Sequence, residues 1–186
     1  MPADDRPPWI DFGQIIAFLA PGFLVLFSYA SGLPADSRWI SLATQKDQSV
    51  GVFFLVFLAS LSIGLVVSGI RDLTVDSILR WLHKAGGGVT RVNWSRLTKD
   101  KTRLLLLARD NYFRFYQFYA NSAVAIAAAA IIGRVSSSTS SPWLTAAEVI
   151  AALALLGAAK RELGRYLDAV EELGLGASSM KRRPAE

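Results

Sequence analysis

Four blocks of apolar residues alternate with polar segments along the chain. Three of the blocks contain no charged residue, and the fourth contains only Glu148. A bilayer core of about 30 Å is crossed by roughly 20 helical residues, which is close to the length of each block. The pattern therefore predicts four membrane-spanning helices, at about residues 12–31, 48–70, 115–133 and 142–159.

Helical periodicity continues beyond the ends of these blocks. After the second block, RDLTVDSILRWLHK places apolar residues on one helical face and Asp72, Asp76 and Arg80 on the other. We expect the next helix to pass without a break from LLLLARDNYF into the third span. The prediction is one all-α domain, residues 1–174, in which a four-helix transmembrane bundle extends into the cytoplasm through a helical region at 71–114 and a helix at 160–174. Residues 175–186 are predicted to be a disordered tail.

Composition and charge agree with a membrane location. Hydrophobic residues make up 52% of the chain and charged residues only 19%, a balance typical of membrane proteins. With four spans, most Lys and Arg lie on the side of the two termini, and only Arg38, Lys46 and Arg134 lie on the other side. By the positive-inside rule, both termini are predicted to be cytoplasmic.

Polar residues form a line along the aromatic segment NYFRFYQFYAN, residues 111–121. Helical spacing predicts that the line shares one side of a long helix and comprises Arg103, Asp110, Arg114, Gln117 and Asn121. Polar amides at membrane depth avoid lipid. The line is therefore expected to face another helix, another subunit or the water-filled mouth of a pore, and these alternatives stay open.

Small residues recur every four positions in the second span, at Ser60, Gly64 and Ser68. Such a ridge allows the backbone of another helix to approach closely. The ridge is predicted to pack helices together, either within one chain or between subunits.

Glu148 lies inside the fourth predicted span, where an ionised carboxylate needs a partner, water or a proton. Arg134 ends the third span, across a short connection. We expect either an ion pair between these two residues or a hydrated Glu148 near the start of its helix.

Catalytic and metal chemistry find little support in the residue types. The chain has no cysteine, and its one histidine, His83, cannot form a multi-histidine metal site. No nucleophile with a base and no pair of carboxylates stands out in or beside the spans. The prediction is a non-enzymatic protein without a cofactor or a bound metal.

A basic segment precedes the third span and contains one tryptophan. Each Lys or Arg close to an anionic bilayer contributes about 1 kcal/mol to binding. The segment is therefore predicted to contact anionic lipid headgroups, and a nucleic-acid partner is not expected; its contact residues are Arg91, Trp94, Arg96, Lys99 and Lys101.

Two short segments carry a resemblance. FYQFYANSAVAI, after a basic helix, and RYLDAVEEL, near the C-terminus, resemble uncharacterised small bacterial multi-span membrane proteins. The resemblance implies a multi-pass protein of the bacterial cytoplasmic (inner) membrane and implies no activity or binding residue.

Two functions remain compatible with these features. The first expectation is a homo-oligomer that alters membrane permeability, as a small channel or as a membrane-disrupting effector in bacterial stress or defence. The alternative is a membrane-anchored scaffold that recruits a cytoplasmic protein partner through residues 71–114 and the C-terminal region.

Overall fold

The computed structural model describes residues 12–32, 50–85, 98–136 and 141–175, and these segments are helical. The helices are α1 (Phe12–Gly32), α2 (Val50–Leu73), α3 (Val75–Ala85), α4 (Lys99–Ala108), α5 (Arg114–Ser136) and α6 (Pro142–Glu172). A π-helical turn, Arg109–Phe113, joins α4 to α5 without a break, and only Thr74 separates α2 from α3. The predicted all-α fold is confirmed for the described residues, which form four helical rods.

Three of the rods are long and apolar enough to cross a membrane. They are Val50–Leu82, Lys99–Val135 and Pro142–Glu172, whereas α1 contributes a shorter apolar stretch, Ile15–Ala30. The predicted fourth span and the predicted helix at 160–174 are one continuous helix, α6.

The rods alternate in direction. α1 and α2 are antiparallel, and so are α5 and α6, whereas α1 and α5 are parallel. Residues that lie close together on neighbouring helices show this. The pairs are Phe18 with Gly64, Gly22 with Ser60, Arg134 with Glu148, Tyr116 with Leu163, Gly13 with Arg114, and Ala17 with Asn121.

One end of the molecule is strongly basic. At this end, named here the basic end, α1 and α5 begin and α2 and α6 finish. Among the described residues, every Lys and Arg except Arg134 lies in the half of its rod nearer this end. The Lys and Arg residues that flank the same ends of the apolar blocks in the sequence therefore also lie together at one end of the fold.

Helix α5 lies at the centre of the arrangement. It packs on α1 and α6 and also touches α2, while α6 packs chiefly on α5. Much of the first half of α6 is therefore uncovered, with exposed Trp143, Leu144, Ile150 and Leu153. Three rods form a group and the fourth is attached at one side of α5. The predicted architecture of four helices is confirmed for the described residues, whereas their crossing of a membrane stays a prediction.

The main core lies at the basic end, where α3, α5 and the second half of α6 meet. Its buried residues are Leu79, Tyr116, Ala120, Ala159, Leu163 and Leu167. Leu79, Leu163 and Leu167 lie beyond the predicted spans, so helix packing at this end continues past them.

The short segment that follows α6, up to Leu175, packs onto α4. Gly174 has a φ of 65°, and the Leu175 N–H donates to the Val170 carbonyl over 3.1 Å, which closes the helix in a Schellman-type turn. Leu175 is fully buried beside Leu105. Leu175, the first residue of the predicted tail, is thus part of the packed structure. Residues 176–186 lie outside the described residues, so the disordered tail stays a prediction.

Candidate functional site

The small-residue ridge of α2 faces α1 of the same chain. A Cβ atom added to Gly22 would lie 1.8 Å from the Ser60 carbonyl oxygen, and one added to Gly64 would lie 2.0 Å from the Phe18 carbonyl oxygen. The two backbones can approach this closely only because both positions are glycine. Ser60 and Ser68 are buried as well.

Asn121 compensates for a proline in α1. Pro21 has no N–H, so the carbonyl of Ala17 loses its normal helical donor. The side-chain amide of Asn121 donates to that carbonyl over 3.0 Å, and Asn121 is fully buried. One polar residue of the predicted line therefore faces another helix of its own chain. The remaining Asn121 oxygen and the Ser60 hydroxyl have no hydrogen-bond partner among the described residues.

A π-helical turn separates Arg103 from the rest of the predicted polar line, and the common face of the other residues stays a prediction. Arg103 is exposed, Gln117 is half-buried and Asn121 is fully buried. The turn follows Arg103, and an extra residue in one turn rotates the part of the helix before it by about 100° relative to the part after it. In that turn the Arg114 N–H donates to the carbonyl of Arg109, five residues earlier.

A buried charge cluster at the basic end was missed by the sequence analysis. The side chain of Arg71 is only 3% exposed, and its Nε lies 3.3 Å from Asp76 Oδ1. The Tyr116 hydroxyl donates to the same carboxylate oxygen, and the Arg71 Cζ lies 5.5 Å from the centre of the Tyr116 ring, within the range of a cation–π contact. Arg71 is also paired with Asp72.

Asp76 connects α3 to this cluster. Its second carboxylate oxygen lies 3.7 Å from Arg80 Nη2, and the Arg80 Nε donates to the Asp76 carbonyl over 3.2 Å. Burial raises the pKa of the Asp76 carboxyl, whereas the Tyr116 hydrogen bond and the Arg71 charge lower it. Asp76 lies beyond the second predicted span and on the polar face of its helix, and the structure shows that it is nevertheless buried.

The chemistry of this cluster suits a structural role, in which ion pairs and a hydrogen bond hold helices together. Two guanidinium groups face two carboxylates, so the charges balance, and Tyr116 joins the end of α2 and the start of α3 to α5 across 40 residues of sequence. Within the described residues, no group of His, Cys, Asp and Glu could hold a metal ion. No local sequence signal reveals the cluster, since its aromatic member is so distant along the chain.

Arg134 and Glu148 meet at the end opposite the basic end. Arg134 Nη2 lies 3.9 Å from Glu148 Oε2, and the two side chains are 45% and 28% exposed. They border a cleft of about 260 Å³ between α5 and α6. At this distance and exposure the contact is a weak ion pair that remains open to its surroundings.

The predicted headgroup contacts are only partly within the described residues. Lys99 and Lys101 lie in the first turn of α4, where Thr98 caps the helix by accepting from the Lys101 N–H over 3.4 Å. Arg91, Trp94 and Arg96 lie outside the described residues.

Comparison of this chain with protein-family models, with curated proteins and with solved structures finds no match.

Proposed function

We propose that this chain is an integral protein of the bacterial cytoplasmic membrane, in which α1, α2, α5 and α6 cross the bilayer and the basic end faces the cytoplasm. Support comes from the three long apolar rods and from the position of the basic residues. Apolar side chains are also exposed around the middle of α2, where water would be an unfavourable neighbour, as at Phe54, Leu58 and Leu65.

Single cysteines can test this topology, because the chain has none of its own. Ser77, Ser62 and Ser141 are all exposed, and Ser→Cys is a nearly isosteric change. With an impermeant maleimide, Ser141→Cys should be labelled on intact cells and Ser77→Cys only after the membrane is opened. Ser62→Cys should resist labelling in both cases. Labelling of Ser62→Cys, or of both other variants from one side, would contradict the topology.

The function that the geometry supports best is that of a membrane-anchored interaction subunit. Apolar side chains are exposed on α3 and α4, as at Trp81, Leu104 and Leu107. At 1.5 Å per residue, Leu104 lies about 15 Å before Arg114 and Trp81 about 16 Å beyond Ile70. The headgroup layer is only roughly 5–8 Å thick, so helices along the bilayer normal carry these residues past it.

Exposed apolar side chains beyond the bilayer favour a protein contact. Two features that first favoured a pore make contacts between helices of the same chain instead. The small-residue ridge packs on α1, and Asn121 forms a hydrogen bond with the Ala17 carbonyl. For this reason recruitment of a cytoplasmic protein partner is the first candidate, and altered permeability is the second.

Polar substitution at the exposed positions tests recruitment. Trp81→Gln and Leu107→Gln should reduce the mass of the complex that is extracted from membranes in a mild detergent, while the unfolding temperature stays unchanged. Trp143→Gln is the matched control, because Trp143 is at least as exposed as Trp81 but lies at the opposite end. A wild-type chain extracted without a partner, or a complex that survives both substitutions, would refute recruitment.

Altered permeability keeps one supporting observation. The uncovered side of α6 lies next to the partly exposed Arg134–Glu148 pair, and charged groups that face lipid are costly. A second copy of the chain or a water-filled path would cover them. Dye efflux from liposomes should then rise with the fraction of cross-linked oligomer, and oligomers without efflux would exclude this function.

A further inference from the structure

A cleft of about 430 Å³ lies between α1 and α2, and this volume is within the range of small-ligand sites. Three phenylalanines contribute to its walls, Phe23 from α1 and Phe53 and Phe57 from α2. The ring centres of Phe53 and Phe57 lie 6.4 Å apart, with their planes inclined by 27°. Phe23 and Phe53 are 50% and 65% exposed. The cleft is therefore rich in aromatic rings and open to the surroundings of the two helices.

One polar side chain belongs to this cleft. Among the described residues that line it, Ser60 is the only polar one, and its buried hydroxyl has no hydrogen-bond partner within the described segments. A serine inside a helix can donate to the carbonyl four residues earlier, and Ser28 and Ser62 do so over 2.8 Å in the same two helices. A buried hydroxyl without a partner is unfavourable. A ligand that accepts from Ser60 would remove this cost.

The depth of Ser60 limits the chemistry of such a ligand. At 1.5 Å per residue, Ser60 lies about 15 Å from both Val50 and Ile70 along α2. The hydrocarbon core of a bilayer is about 30 Å thick, so Ser60 lies near the middle of the proposed span. The ester and phosphate oxygens of a phospholipid lie at the boundaries of that core, and its acyl chains offer no acceptor in the middle. A ligand that bonds to Ser60 must instead carry its acceptor into the hydrocarbon.

We propose that this cleft binds the ring of a lipid-soluble quinone, with the ring against the three phenylalanines and one ring carbonyl accepting from the Ser60 hydroxyl. Aromatic side chains favour stacked and edge-to-face contacts with a flat ring, and in an apolar site a few polar groups fix the orientation of the ligand. The second carbonyl remains in hydrocarbon, as it does in the bilayer, and adds no cost to binding. The inference rests on the proposed membrane location and adds a ligand that neither candidate function includes.

Menadione, a naphthoquinone without a tail, and methylnaphthalene, the same ring skeleton without carbonyls, are matched probes of this site. Their dissociation constants follow from the rise in the unfolding temperature of the full chain in a neutral detergent. Each probe is compared with itself across variants, so its partition into detergent cancels. Ser60→Ala should weaken menadione binding about three- to tenfold, the effect of one hydrogen bond, and leave methylnaphthalene binding unchanged. Ala20→Phe should abolish the binding of both probes, because Ala20 lines the cleft and a larger side chain would fill it.

Ser62→Ala is the matched control, because it makes the same change in the same helix at an exposed hydroxyl that already bonds to the Leu58 carbonyl. Its menadione affinity should equal that of the wild type, and an equal loss in both serine variants would overturn the site. Menadione binding that does not saturate, that is unaffected by Ser60→Ala, or that survives Ala20→Phe would overturn it as well.

The Ser60 hydroxyl has no partner to lose among the described residues, so Ser60→Ala should fold. If it does not, Ser60→Cys decides the matter, because a thiol is a weak donor of similar size. The cysteine labelling reports membrane insertion separately, so a failure of the quinone site is distinguishable from a failure of the topology.

Discussion

Gly22→Ala and Gly64→Ala should each destabilise the contact between α1 and α2. The added methyl groups would lie 1.8 Å and 2.0 Å from backbone oxygens, whereas ordinary van der Waals contact begins at 3.4 Å. Each atom would therefore be about 1.5 Å too close, and because its neighbour is backbone, a change of side-chain rotamer cannot relieve the clash. Overpacking of this kind costs about 1–3 kcal/mol.

The matched control is Gly69→Ala in the same helix. A Cβ atom at Gly69 meets nothing within 4 Å, so only the gain in helix propensity remains, about 0.5–1 kcal/mol in favour of alanine. The same chemical change should thus have opposite signs at positions 64 and 69. The double variant Gly22→Ala/Gly64→Ala should cost less than the sum of the single changes, because the first methyl group already separates the helices.

Unfolding in an SDS titration, followed by far-ultraviolet circular dichroism, measures these differences, and size-exclusion chromatography reports the oligomeric mass. Unchanged stability in both Gly22→Ala and Gly64→Ala would refute the close approach of α1 and α2. A folded Gly64→Ala variant with a reduced mass would assign the ridge to a contact between subunits instead.

Three further predictions concern polar contacts, measured by the same titration. Asn121→Ala should lower the free energy of unfolding by about 1–3 kcal/mol because the Ala17 carbonyl loses its donor. Adding Pro21→Ala should recover part of the loss by restoring a backbone N–H. Strict additivity of the two changes would contradict this role of Asn121. Asp76→Ala should lower the free energy of unfolding by about 3–5 kcal/mol because it removes a carboxylate from the buried Arg71. Asp168→Ala, at an exposed site, should lower it by less than about 0.5 kcal/mol. Equal losses in the two variants would argue against the buried cluster. Arg134→Ala and Glu148→Ala should each destabilise slightly, with a coupling below about 1 kcal/mol at this exposure, and zero coupling would leave Glu148 as a hydrated boundary residue or a pore-lining acid.

The helices themselves were predictable because their determinants are local. The first apolar block was placed at 12–31 and forms Phe12–Gly32, and the described part of the second block, placed at 48–70, lies in Val50–Leu73. Uncharged length and a periodicity of 3.6 residues identify such segments without knowledge of any partner. The π-helical turn at Arg109–Phe113 left no such signal, because one additional residue in a single turn scarcely disturbs the pattern.

The contacts between helices were decided by the tertiary structure. The sequence shows that Gly64 allows a close approach, but the fold determines that Gly22 of α1 is the glycine that meets this ridge. It also shows a polar Asn121 and a Pro21 that removes a donor, yet their relation depends on a carbonyl 104 residues away. Arg71 and Asp76 are polar residues that are buried in the fold, where both contact Tyr116 of a distant helix. Periodicity defines the face of one helix, whereas the partner of that face depends on how whole helices pack, and no local pattern encodes this.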